Sequence, residues 1–109
     1  MTVKIKFNKE KILKYDKPIL ISHTINSKNF KKLLIKIDNE FYLINHMCPH
    51  NGLPLINAKF YENGNILCNW HGCLFSIFMK QEIPKENIIN SEKVNVGFEN
   101  DEAFIELKI

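Results

Sequence analysis

Apolar and charged residues alternate from the start of the chain, where Val3, Ile5 and Phe7 are separated by Lys4 and Lys6. The same beat of two returns at Leu33, Ile35 and Ile37 and at Val94 and Val96. Successive side chains of a strand face opposite ways, so this alternation predicts half-buried antiparallel strands. Strands are expected near 2 to 7, 18 to 25, 31 to 37, 41 to 45, 56 to 60, 65 to 68, 74 to 78, 93 to 97 and 102 to 107. Turns are expected at Asp38-Asn39-Glu40 and Glu99-Asn100-Asp101, and at Glu62-Asn63-Gly64-Asn65, where Asn-Gly favours a tight reversal. A short helical turn is expected around Pro84 to Ile89. The class is all-β. Its layout is an antiparallel sandwich base made from both ends of the chain, with a small subdomain inserted at about 46 to 80.

At 109 residues the chain has the length of one domain, taken as 1 to 109. That length bounds the chemistry, because a separate catalytic iron site of the 2-His-1-carboxylate type would need its own scaffold. No catalytic site of the chain's own is expected. No run approaches the roughly eighteen apolar residues of a membrane span, and the N-terminus lacks the apolar core of a secretory signal. The chain is therefore expected to be cytoplasmic, with no membrane partner.

The formal charge of +3 comes from lysine alone, since the chain has no arginine. Nucleic-acid binding would bring a clustered basic stripe. Here Lys4, Lys6, Lys9, Lys11, Lys14 and Lys17 spread over what reads as a strand and its edge, so no nucleic acid is expected. Two readings remain for these lysines, a solvated face or a surface that steers an acidic redox partner.

The candidate chemistry lies in two short motifs. Cys48-Pro49-His50 is followed, after seventeen intervening residues, by Cys68-Asn69-Trp70-His71, and each is continued by glycine, Gly52 in one and Gly72 in the other. Two thiolates and two imidazoles can close a tetrahedral structural zinc or bind a [2Fe-2S] cluster in which histidines replace cysteines on one iron. Zinc fingers pair Cys with Cys and His with His, whereas here each loop carries one of each. A one-residue gap sends Cys48 and His50 to two different atoms more easily than to one. That suits a dinuclear cluster, with Cys48 and Cys68 on one iron and His50 and His71 on the other.

The stretches Cys-Pro-His-Asn-Gly-Leu-Pro-Leu (48 to 55) and Cys-Asn-Trp-His-Gly-Cys-Leu-Phe (68 to 75) resemble the cluster-binding loops of Rieske [2Fe-2S] proteins, in particular the soluble Rieske-type ferredoxins. The likeness is strongest from about His46 to Ser76. It implies a Rieske fold and a cluster held by Cys48, His50, Cys68 and His71. It also implies a one-electron carrier between a ferredoxin reductase and an oxygenase or similar terminal enzyme. A second function consistent with the same fold is a small subunit of an assimilatory nitrite reductase, docked on a reductase large subunit. A third, from another class, is a non-redox module built on structural zinc.

High-potential members of that family carry serine and tyrosine where this chain has Cys73 and Phe75, and a loop disulfide whose positions correspond to Leu53 and Trp70. Neither position is cysteine here, so Cys73 has no partner and reads as a packing residue or a redox-sensitive thiol. Rieske potentials span about −150 to +300 mV, and the missing hydroxyls place this chain toward the low end. The resemblance also implies histidine ligation through Nδ1, which leaves Nε2 of His50 and His71 free as the proton-sensitive electron exit. Trp70 and Leu53 are expected to shield the cluster from water, with packing against the base an equal reading for Trp70, and Pro49 and Pro54 to stiffen the first loop. His46 reads as the end of a strand rather than a fifth ligand, and His23 has no motif around it. The segment 77 to 84 lacks the family's Thr-Gly turn, leaving Ile83-Pro84 as the expected covering loop.

Overall fold

The computed structural model describes residues 2–48, 52, 54–68 and 72–108, with the side chains of Ile25 and Lys108 left aside. Among the described residues ten strands make three antiparallel sheets. The first sheet orders as β1 (Thr2–Asn8), β10 (Glu102–Lys108), β9 (Val96–Glu99). The second orders as β2 (Ile19–Ile25), β3 (Lys28–Ile37), β4 (Glu40–Asn45), β8 (Ser91–Val94). The third, small sheet is β5 (Lys59–Phe60), β6 (Asn65–Leu67), β7 (Leu74–Ser76). Among the described residues no helix is long and apolar enough to cross a membrane.

The second sheet is the middle layer, and β3 shows why. Leu33, Ile35 and Ile37 join one buried cluster with Leu55, Ile66 and Phe75 of the inserted region. Leu34, one step out of phase, joins a different cluster with Ile5, Ala103, Ile105 and Leu107 of the first sheet. Strand β4 divides the same way, Ile44 and Tyr42 to one side, Leu43 and Phe41 to the other. A strand buried on both faces loses its polar beat, which explains the continuous apolar run at 33 to 35. Each fully buried aliphatic side chain of this kind contributes roughly 2 kcal/mol of transfer free energy.

Two hairpins close with two-residue loops in which both central residues have positive φ, Asn26 (50°) with Ser27 (66°) and Asp38 (51°) with Asn39 (66°). That conformation matches the twist of the flanking strands, and Asn and Asp tolerate it better than most residues. The second of these turns was expected from the sequence; the first was not.

Three further expectations need correction. Lys9 and Lys11 lie not on a strand edge but in a one-turn helix, α1 (Lys9–Leu13), capped by the Asn8 side chain accepting from the Glu10 N–H at 2.9 Å. The strand expected at 93 to 97 is two strands, β8 and β9, separated at Asn95, where the chain leaves the middle sheet for the first. The strand expected from 56 shrinks to Lys59–Phe60, because residues 55 to 58 form a turn closed by Ala58 N–H donating to Leu55 C=O at 2.9 Å.

Strands β4 and β8 are neighbours, with Ile44 paired to Ser91. Everything between them, including the third sheet and a 3-10 turn at Lys85–Asn87, is therefore an excursion from one seam of the middle sheet.

Candidate metal centre

Cys48 and Cys68 sit at equivalent places on two loops. Cys48 follows the end of β4, and the neck of its loop is closed by Leu55 N–H donating to His46 C=O at 2.8 Å and by a bridge between Met47 and Pro54. Inside that neck Gly52 N–H donates to Cys48 C=O at 2.9 Å. Cys68 follows β6, and its N–H donates to Cys73 C=O at 3.0 Å, one step beyond the Leu67 to Leu74 pair of the β6 and β7 hairpin. Both loops then pass through an exposed glycine with positive φ, Gly52 at 68° and Gly72 at 62°. The left-handed conformation is open to glycine without the Cβ penalty, so both glycines suit the path the backbone takes there.

Both thiols are almost fully buried, at 3% and 4% exposure, and both belong to the same apolar cluster as Leu33, Ile44, Ile66 and Phe75. Neither forms a disulfide. Two free thiols in one dry cluster suit an iron-sulfur or zinc group, since a thiolate is costly to bury unless a cation compensates it. Among the described residues no third His, Cys, Asp or Glu joins them to complete a metal-binding group. His50 and His71 lie outside the described residues, as do Pro49, Leu53 and Trp70.

The other candidates fall into place around this pair. His46 is half-buried, its carbonyl closes the first neck, and its Nδ1 is buried with no hydrogen-bond partner among the described residues. His23 is exposed on β2, opposite Phe30. Cys73 is free and half-buried against the cluster, and Phe75 is fully buried and has no hydroxyl to offer. Ile83 is buried and Pro84 exposed, leading into the 3-10 turn.

Side chains that the sequence does not single out tie down the inserted region around the second loop. Asn87 Nδ2 donates to Leu74 C=O at 3.1 Å. Ser76, a fully buried polar residue, accepts from Phe78 N–H through Oγ at 3.1 Å and from Ile89 N–H through its carbonyl at 2.8 Å. Lys80 Nζ closes the Asn63-Gly64 turn, donating to Asn63 C=O at 2.9 Å and Asn65 Oδ1 at 2.7 Å. Tyr42 of the middle sheet packs edge-on against Phe78 at 5.6 Å between ring centroids, tying the excursion back to its base. The Asn-Gly turn was a readable signal; the lysine that closes it was not.

Glu40 accepts from Lys93 Nζ at 2.7 Å and from Tyr42 Oη at 3.0 Å, which holds its carboxyl below the usual value. Burial, followed by that same carboxylate, pushes the Tyr42 phenol up. Burial also raises the Tyr15 phenol.

Comparison with known proteins agrees with this picture. Human apoptosis-inducing factor 3 is 31% identical over 75 residues, covering 69% of this chain but 12% of that protein. The ferredoxin component of the alkene monooxygenase system of Xanthobacter autotrophicus is 30% identical over 56 residues, 51% of this chain and 46% of that one. The chain thus aligns with less than half the length of either relative. In fold it is similar to the ferredoxin of carbazole 1,9a-dioxygenase from Nocardioides aromaticivorans, with a TM-score of 0.55, 12% identity and 96% of each chain covered. The Rieske [2Fe-2S] domain family matches residues 9–89, and with both motifs inside that span the chain belongs to this family.

Proposed function

We infer that this chain is a one-electron carrier of the Rieske ferredoxin type, with Cys48, His50, Cys68 and His71 as cluster ligands. The observation that carries the reading is the pair of buried, unbridged thiols at matching positions of two glycine-turned loops, each with a histidine two or three residues on. When bound, the [2Fe-2S] group accepts and releases a single electron, at a potential raised by exchanging two anionic ligands for neutral ones. The chain's part is to hold the ligands and keep water away. Leu33, Ile44, Ile66 and Phe75 belong to the apolar cluster that encloses both thiols, Asn87 and Ser76 tie down the strand that leaves the second loop, and Lys80 closes the turn that precedes β6. The bacterial relative's description as a ferredoxin component of a monooxygenase system supports an oxygenase-type acceptor; a reductase is proposed as donor because a one-electron carrier must be reduced by another protein.

The test is EPR of anaerobically purified protein, oxidised and then reduced with dithionite, with iron and sulfide counted on the same sample. A silent oxidised state and a rhombic reduced signal of low average g are expected. Zinc without acid-labile sulfide, and no signal on reduction, would overturn the reading. Film voltammetry is expected to place the potential in the lower part of the span of about −150 to +300 mV, because Cys73 and Phe75 supply no hydroxyl to the sulfurs.

A further inference from the structure

Cys73, which the motifs leave without a partner, stands opposite Cys68. The register of the β6 and β7 hairpin pairs Asn65 with Ser76, Ile66 with Phe75 and Leu67 with Leu74. Its next step brings Cys68 against Cys73, and the Cys68 N–H donates to the Cys73 carbonyl at 3.0 Å. Directly opposed residues of an antiparallel pair point to the same face. Both cysteines accordingly meet one apolar cluster, Cys68 buried in it with Ile66 and Phe75, and Cys73 half-buried against it.

A hydrogen-bonded antiparallel pair holds its Cα atoms about 5.5 Å apart, within the range of about 4.4 to 6.8 Å that a disulfide spans. Opposed Cβ atoms lie about 4.5 to 5.5 Å apart, and a disulfide draws them to about 3.5 to 4.5 Å. Closing the bond therefore takes a small inward movement, which leaves it strained and readily reduced. Cys48 is placed differently. Its loop is closed upon itself, by Gly52 N–H on the Cys48 carbonyl and Leu55 N–H on the His46 carbonyl. Among the described residues no strand register sets Cys48 against either of the other thiols.

We propose that Cys68 and Cys73 form a reversible disulfide by exchange with a low-molecular-weight disulfide, and that this bond competes with the iron-sulfur group for the Cys68 thiolate. The proposal rests on the electron-carrier reading for the role of Cys68 as a ligand, and adds a thiol switch to that site. The half-buried Cys73 is reached first. Its thiolate attacks one sulfur of glutathione disulfide, breaking that S–S bond and releasing one glutathione thiolate. The Cys68 thiolate then attacks the Cys73 sulfur of the mixed disulfide and displaces the second glutathione. Two protein thiols and one glutathione disulfide thus give one protein disulfide and two glutathione thiols; the protein loses two electrons and two protons, and glutathione disulfide gains them. Metal ligation needs a thiolate, and the bonded Cys68 has none to offer. In this state the chain takes up no iron and sulfide until a thiol reductant restores it. Conversely, when Cys68 is engaged as a ligand the second attack has no nucleophile, so the loaded chain does not close the bond.

The test follows the full chain, either loaded with iron and sulfide or freed of them by chelation under reducing conditions, in glutathione buffers of stepped disulfide content. Thiols are then blocked and the chain is digested with chymotrypsin, which cuts after Trp70 and so separates the two cysteines unless a bond links them. The linked peptide is expected from the freed chain and not from the loaded one. Its equilibrium constant should exceed that of the same chain in urea by about tenfold or more, since the hairpin holds the pair in register. Prior oxidation should lower iron and sulfide uptake about tenfold, with full recovery in dithiothreitol. Cys73→Ala keeps the carbonyl that Cys68 bonds, and should load as the native chain does whether or not it has met glutathione disulfide. A link from Cys48 to Cys68 as the main product, a mixed disulfide on Cys73 that never closes, or equal linkage in urea would overturn the proposal. So would a loss of uptake that Cys73→Ala does not relieve. A fully reduced chain that takes up no iron and sulfide overturns the electron-carrier reading and the competition with it, while the peptide map still decides the pairing.

Discussion

The base and the inserted excursion solve the same problem of burying a β-rich chain by different means. In the base, strands of four to ten residues pair along their length, and the middle sheet is covered on one face by the first sheet. In the excursion, strands of two or three residues carry few ladder bonds, and order comes from side-chain straps, from Phe75, and from the opposite face of the same middle sheet. A sheet of such short strands is marginal by itself. The contrast teaches that order in the base comes from long strand ladders, whereas order around Cys48 and Cys68 rests on a few side-chain ties and on packing against the middle sheet.

That difference can be broken most drastically at the two cysteines proposed as ligands. Cys48→Ala or Cys68→Ala is expected to abolish incorporation of iron and sulfide while the base keeps its β-sheet circular dichroism; loss of all folded signal would mean that the two regions are not separable in this way. Next in size is Phe75→Ala, which removes a fully buried ring and is expected to cost about 3 to 5 kcal/mol in denaturant unfolding. Leu34→Ala, in the other cluster, should cost less, about 2 to 5 kcal/mol, and should leave the rate of cluster loss unchanged where Phe75→Ala accelerates it.

Gly64→Ala sharpens the role of the strap. Its φ of 90° disfavours a side chain, and a Cβ there would meet Phe78 at 2.5 Å. The expected loss is about 1 to 3 kcal/mol, read as a lowered melting temperature.

The smallest effect belongs to the base. Lys93 first, then Tyr42, hold the exposed Glu40 carboxyl below its ordinary value of 4.5. A carboxylate with a lowered folded-state pKa adds stability above its unfolded value and loses it as pH falls through the folded one. The advantage of the native chain over Glu40→Gln should therefore be level above about pH 4.5 and fade below it, as followed by thermal melting across pH. An advantage that grows with acid would contradict the assignment.

Much of the fold could be read in advance where the physics is local. Alternation at Val3, Ile5 and Phe7 located β1, and Asp38-Asn39 located a hairpin turn, because both signals lie in adjacent residues. The helix Lys9–Leu13 escaped because five residues are too few to show a helical period. The crossing at Asn95 escaped because no glycine or proline marks it, and the change of sheet depends on which strands lie alongside. At the site, residue type and spacing singled out Cys48 and Cys68, and the structure buries both thiols in one cluster. The buried Ser76, the reach of Lys80 to Asn63 and the Asn87 tie to Leu74 depend on contacts across 13 to 17 residues, which no local pattern encodes.

Strand pairing of Ile44 with Ser91 has a topological consequence. The chain departs from the middle sheet and rejoins it at facing positions, so the whole excursion is, to the base, one long hairpin loop. Closure entropy rises only slowly with loop length, about 0.6 kcal/mol for each doubling. The excursion can therefore be lengthened, trimmed or transplanted onto another sandwich at a single graft point, provided the recipient sheet offers an apolar face to receive it.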